Sequence, residues 1–399
     1  MTITVLIIIC ALLLISYLFD ISASTTKIPA VILLLILGFS VKLIGNFLQI
    51  DLPNMSPLLP VLGTVGLVLI VLEGSLELVL NKSTLPFVGK ASLVAILQML
   101  GLSFILGYAF YYFGHINYKD ALANAIPFAI ISSAIAIPSV QNQATNLKSF
   151  ITYESSLSDI FGVIFFNFIT LNDNIGGDSI GIFFLQIAIT LVLSFVATIS
   201  LAFLLKKINH HVKYIPIIIM IILIYALCKM YHLPGLIFIM IFGLFLGNLG
   251  ELNHLKLIKR LDPSIMNKEV HQFKDLIVEI TFIIRALFFI LFGCLIESSE
   301  ILNNKTIVWA IAIIVAIFSL RMIFLKIFKI QLLPIFYIAP RGLITILLFL
   351  SIPISQASSL ANKSLIIQVI VISALVMMFG LMCYKPKLPL KKQEDISSL

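Results

Sequence analysis

Long apolar runs separated by short polar breaks recur from one end of the chain to the other, at 3–19, 28–48, 57–80, 87–112, 121–140, 151–171, 180–205, 214–230, 234–249, 275–296, 306–325, 332–353 and 364–384. A helix of about 20 apolar residues crosses the hydrocarbon layer of a bilayer, so each run predicts a transmembrane segment. The expected fold is an all-α polytopic membrane protein of about 13 transmembrane helices. Thirteen such helices use about 260 positions. That leaves short connections and no room for a folded soluble domain. The longest connection, 250–274, is polar and central, and suggests two helical bundles joined in the middle.

Two of the runs are interrupted. Span five reads Ser132-Ser133-Ala134-Ile135-Ala136-Ile137-Pro138-Ser139, and span twelve reads Pro334-Ile335-Phe336-Tyr337-Ile338-Ala339-Pro340-Arg341-Gly342. Small, hydroxyl, Pro and Gly residues stand where a lipid-facing helix would carry Leu. Spans five and twelve are seven apart, so two six-helix repeats joined by a linking helix would lie in opposite orientations. The expected organisation is one transmembrane domain over 1–385, with repeat one at about 1–171, a linker helix at 180–205 and repeat two at about 214–385. A short basic tail follows at 386–399. Paired broken helices in inverted repeats point to a secondary transporter with its site at the midplane. The break region is assigned to Ser132, Pro138, Pro340, Arg341 and Gly342, with helices 5 and 12 crossing there.

Composition agrees: 61% of residues are hydrophobic and 11% charged, with a mean hydropathy of +1.16. A soluble domain carries roughly 25% charged residues. The net charge of +8 does not indicate nucleic acid, because the basic residues are scattered at helix ends, where membrane proteins place them. With the basic C-terminal tail in the cytoplasm and the N-terminus outside, 18 of the 26 Lys and Arg fall on the cytoplasmic side, including Lys206, Lys207, Lys213, Lys256, Lys259, Arg260, Lys268 and Lys274. This is the positive-inside asymmetry expected of an integral plasma (inner) membrane protein. Cys10, Cys228, Cys294 and Cys383 are far apart and show no metal spacing. No cofactor and no structural metal are expected.

Charges inside the runs carry the chemistry. Glu73, Glu154, Asp159, Glu279, Arg285 and Arg321 lie within predicted spans, and Arg341 lies beside a break. Each costs about 2.5–3.5 kcal/mol at the bilayer centre, so the set requires pairing or a wet cavity. In span six, Ser155 and Asp159 are one helical turn apart on one face, whereas Glu154 is about 140° from Asp159. A carboxylate and a hydroxyl facing the free backbone carbonyls of a broken helix make an oxygen site for a hard cation. A lone carboxylate there can hold a proton or a cation by turns, not both. Arg285 has no partner legible from spacing, since Glu279 faces elsewhere.

Over essentially its full length the chain resembles the cation:proton antiporter superfamily, in particular the NhaP-like sodium/proton exchangers. Glu154, Ser155 and Asp159 are similar to that branch's Glu-Ser-x-x-Asn-Asp signature. Leu72-Glu73-Gly74 looks like its Leu-Phe-x-Glu-Gly segment, Arg341-Gly342 like its Gly-Leu-Arg-Gly segment, and Phe288-Phe289-Ile290-Leu291-Phe292-Gly293 like its Phe-Phe-x-x-x-Gly helix. The resemblance implies that Asp159 is the exchange carboxylate and that Ser155 and Glu73 help to bind the cation. It also implies that Glu154 pairs with an arginine of span eleven, which here is Arg321, and that the protein is a homodimer. Ser158 replaces the usual Asn. In span five Ser133-Ala134-Ile135 stands in place of Thr-Asp-Pro, which leaves Ser133 as the hydroxyl there. Residues 132–137 instead resemble the Ser-Ser-Thr-Ala-Ile-Ala stretch of potassium-efflux antiporters, although the cytoplasmic nucleotide-binding domain common in that branch is not expected here.

The resulting expectation is monovalent cation:proton antiport, electroneutral Na⁺/H⁺ exchange by competition at Asp159, with Na⁺, Li⁺ or K⁺ and H⁺ as substrates in a lipid bilayer. The alternatives are K⁺/H⁺ antiport of the potassium-efflux type and a cation channel or leak on the same scaffold. An intramembrane enzyme would show His-Glu-x-x-His or Gly-x-Gly-Asp, and neither occurs.

Overall fold

A computed structural model describes residues 2–26, 28–49, 57–78, 80, 85–141, 143–172, 176–208, 210, 212–251 and 263–384. Among them there are helices and no strands. The helices are α1 (Thr2–Thr26), α2 (Ala30–Phe47), α3 (Leu58–Glu77), α4 (Leu85–Gly114), α5 (Tyr118–Ala129), α6 (Ser133–Ser139), α7 (Thr145–Leu171), α8 (Gly177–Lys207), α9 (Tyr214–Met230), α10 (Gly235–Gly247), α11 (Pro263–Leu295), α12 (Ser298–Ile301), α13 (Asn304–Ile327), α14 (Leu343–Ser351) and α15 (Lys363–Cys383). Each apolar run falls on one of them or on a broken pair. Among the described residues, eight helical stretches are long and apolar enough to cross a membrane, Tyr118–Ser139 counting as one of these, and Ile7–Ala23, Tyr214–Met230 and Gly235–Gly247 are apolar but shorter.

Span five divides into α5 and α6, with Ile130, Ile131 and Ser132 non-helical between them. The break precedes Pro138, which lies inside α6. The helix ends one residue after Pro138, so the proline lies in the last turn of α6 and does not make the break in the span. Span twelve is less symmetric. It begins with the short 3-10 turn Ile335–Tyr337, is non-helical from Ile338 to Gly342, and resumes as α14.

The central connection is shorter than the polarity of 250–274 suggests. Helix α11 begins at Pro263, a residue suited to the first helical position. Met266, Phe273 and Ile277 are buried on one face, an amphipathic stripe that the intervening charges obscure. Lys256, Lys259, Arg260 and the tail 386–399 lie outside the described residues.

Packing crosses the sequence halves. One group joins α2, α3 and α8–α11, with α1 laid against α2 and α11; the other joins α4–α7 with α13–α15. Both broken helices belong to the second group. Its members α5, α6 and α7 are the most completely buried of the described helices, with nearly every residue from Ala121 to Ala136 and from Phe150 to Ile160 inside. A helix hydrophobic all round is a core helix, and here that core encloses the charges.

Candidate functional site

The two breaks meet. The backbone N–H of Ser132 donates to the carbonyl of Pro340 at 2.9 Å, tying the non-helical stretch of span five to that of span twelve. Gly342 permits the approach, since a Cβ there would stand 2.7 Å from Ser132 Oγ and Ile135 Cδ1. Unwound backbone at membrane depth leaves N–H and C=O groups that lipid cannot satisfy, and the neighbouring side chains satisfy them. Ile131 N–H donates to Ser158 Oγ at 3.0 Å. The fully buried Arg341 donates from Nε to the Phe128 carbonyl at 2.7 Å, from one terminal nitrogen to Ala339 at 2.7 Å, and from the other to Ala129 at 3.4 Å. A cation therefore closes the C-terminal end of α5, where free carbonyls concentrate partial negative charge.

A carboxylate occupies the other side of the break. Asp159 of α7 is fully buried, and its Oδ2 accepts hydrogen bonds from both the backbone N–H (3.3 Å) and the hydroxyl of Ser133, the first residue of α6. Its Oδ1 is buried with no hydrogen-bond partner. One oxygen is thus oriented by the broken helix and the other is left available. The hydroxyls of Ser132 and Thr345, on the two broken spans, are likewise buried without a partner.

Glu154, on another face of α7, takes no part in this cluster. It accepts a two-pronged pair from Arg321 of α13 at 2.8 and 2.9 Å, both side chains being buried. Arg321 Nε donates to the Ile335 carbonyl at 2.9 Å, and one terminal nitrogen reaches Gln98 Oε1 at 3.3 Å. The pair thus braces α7, α13, α4 and the start of broken span twelve. Gln98, buried on α4, carried no sequence signal: a lone amide in an apolar run has no motif.

Ser155 is buried one turn from Asp159, but its hydroxyl donates to the Ile151 carbonyl of its own helix at 2.7 Å. Glu73 of α3 is half-buried and not in contact with Asp159; it faces Thr281 and Arg285 of α11. Glu73 and Ser133 instead share a cavity of about 540 Å³ that follows α6 from Ser133 to Gln141 and Gln143. Asp20, Glu77 and Arg285 line the same cavity. Gly74 brings α3 against α7, since a Cβ there would meet Ser156 Oγ at 2.9 Å. Only Ser133 of the Asp159 cluster lines the cavity; Asp159 stands behind it. Glu279 is exposed on the outer surface of α11. Arg285, unpaired by sequence spacing, lies 3.6 Å from Asp20 of α1.

A buried carboxylate at crossed, broken helices, hydrogen-bonded to a serine that lines a polar cavity, is the architecture of an ion-coupled carrier. Comparison with known proteins agrees: the family described as sodium/hydrogen exchanger, transmembrane, matches residues 9–383. The chain belongs to that family. The exchanger is similar in fold to the sodium proton antiporter MjNhaP1 from Methanocaldococcus jannaschii. Against a structure of that antiporter at pH 8 the TM-score is 0.68 with 19% identity, covering 96% of each chain. Against an electron-microscopy map of it the TM-score is 0.63 with 20% identity, covering 97% of this chain and 100% of the other. No curated protein sequence matches. The exchanger is accordingly a multi-pass membrane transporter of the cation:proton antiporter class and not an enzyme.

Proposed function

We propose that the exchanger carries out electroneutral Na⁺/H⁺ exchange, with proton and cation competing for Asp159. The observation that carries this reading is the unequal pairing of the Asp159 oxygens: Oδ2 is held by Ser133, and Oδ1 is buried and free. A carboxylate so placed can take a proton on Oδ1 or offer it to a desolvated cation. Ser133 and the break carbonyls supply further oxygen ligands of the kind hard cations prefer. Ser155 and Ser158 complete the hydroxyl lining of this face, and Glu73 receives the ion from the cavity. Glu154 and Arg321 hold the site in place.

The cavity follows α6 towards Gln141, Gln143 and Tyr384. The distribution of basic residues assigns that end to the cytoplasm, so this is an inward-facing form. The plasma-membrane location, the outside N-terminus, the two inverted repeats and a homodimeric assembly belong to the same proposal. K⁺ is the second substrate to test, because span five carries Ala134 where the Thr-Asp-Pro of the sodium exchangers it resembles places Asp, which leaves Ser133 as the hydroxyl there.

Proteoliposomes loaded with a pH-sensitive dye and challenged in turn with Na⁺, Li⁺ and K⁺ test activity and selectivity together. Cation addition should move protons in the wild type. Asp159→Asn should insert and fold yet lose that movement, because an amide cannot exchange a proton for a metal ion. Exchange by the Asn variant at the wild-type rate would overturn the assignment, and cation flux without proton movement would indicate a channel.

A further inference from the structure

Arg285 is a cation for which the exchange cycle above has no use. On α11 it shares a stripe with Val278 and Phe282, and all three line the cavity. Its side chain is 14% exposed, so its charge is only partly screened by water. The Asp20 carboxylate lies 3.6 Å away, a long pair beyond good hydrogen-bond distance. The more distant Glu73 lies within its electrostatic reach. The third wall carboxylate, Glu77, pairs with Lys274 at 3.3 Å. One guanidinium thus serves two carboxylates, Asp20 and Glu73, and is firmly bound to neither.

We infer that Arg285 is a tethered competitor of the transported cation, and that with Asp20 it sets the apparent cation affinity of the exchanger. The inference rests on the exchange reading above. A monovalent cation in the cavity must share Glu73 with the field of a guanidinium that cannot leave. Asp20 draws that guanidinium towards α1 and so relieves Glu73. Arg285 and Asp20 therefore act on the same ion in opposite directions, although they form a pair. A pair that merely fastens α1 to α11 would behave otherwise, since losing either partner would have the same effect.

The test measures the half-saturating Na⁺ concentration and the maximal rate of exchange in proteoliposomes for Arg285→Gln, Arg285→Lys and Asp20→Asn. Arg285→Gln should lower half-saturation about three- to tenfold, and Asp20→Asn should raise it by a similar factor; that is the size expected of one unit charge a few ångströms away in a partly screened site. Arg285→Lys should stay near wild type, and maximal rates should change less than about twofold on the same ground. Shifts in the same direction, or a fall in maximal rate at unchanged half-saturation, would overturn the inference. If Arg285→Gln does not fold, an unshifted Asp20→Asn is sufficient to reject it. Thermal stabilisation by Na⁺ in detergent, titrated for the same variants, reads cation affinity without transport. Loss of exchange in the wild type would thus overturn the exchange reading, while the midpoints of that titration decide Arg285 separately.

Discussion

The two oxygens of Asp159 stand in unequal surroundings, and Ser133 is the reason. Its hydroxyl and N–H both donate to Oδ2, whereas the Ser155 hydroxyl is bonded to a carbonyl of its own helix. Two serines that look equivalent in the sequence therefore should not behave alike. Ser133→Ala removes a hydrogen bond to the ionised carboxylate, of the kind that contributes about 1.5–3 kcal/mol. The half-saturating cation concentration should rise about ten- to a hundredfold in Ser133→Ala, and Ser133→Thr should restore it. Ser155→Ala should change it far less, and equal effects of the two alanines in a dye-based exchange assay would contradict the geometry. Asp159 was legible because a lone acid in an apolar run is costly enough to need a role. Its hydrogen bonds to Ser133 were not, because they depend on where the break falls to within a residue. Asp20, the neighbour of Arg285, was equally hidden: nothing in a sequence without fold shows that α1 lies against α11.

At the scale of elements, the interruptions in spans five and twelve were visible as clusters of Ser, Ala, Pro and Gly, but their bounds were not. Pro138 suggests a break that the structure puts at Ile130–Ser132, since a proline one residue from a helix end needs no kink. Holding two unwound segments together requires rigid neighbours, and the Glu154–Arg321 pair braces α7 against α13 and, through the Ile335 carbonyl, against the start of span twelve. Removing one partner of a buried pair strands the other charge, at a cost of about 3–5 kcal/mol, whereas removing both can be nearly neutral. Glu154→Ala and Arg321→Ala should each lower the melting temperature in detergent markedly, and the double variant should be more stable than the sum of the two predicts. Additive losses in that cycle would mean that the two charges are not coupled.

For the whole molecule, apolar run length was enough to place helices, because a backbone in lipid has to bond within its own segment. It could not show that packing would interleave the halves, which follows from side-chain fit and not from hydropathy. That interleaving gathers the buried charges into one group of helices: Glu154 and Arg321 cancel, and Asp159 and Arg341 remain, one on each side of the break. If this group carries the ion across the membrane, its charge with a proton on Asp159 equals its charge with one monovalent cation there. Both crossings then move the same charge in opposite directions, and a complete cycle moves none. A second titrating acid would unbalance the two crossings by one elementary charge, worth about 2.3 kcal/mol per 100 mV. A potassium–valinomycin potential of about 100 mV imposed on Na⁺/H⁺ exchange should therefore leave its driving force unchanged and its rate nearly so. Steady accumulation of Na⁺ driven by that potential alone would require a second proton per cycle, with Glu73 as the group to neutralise next, and would overturn one-for-one exchange.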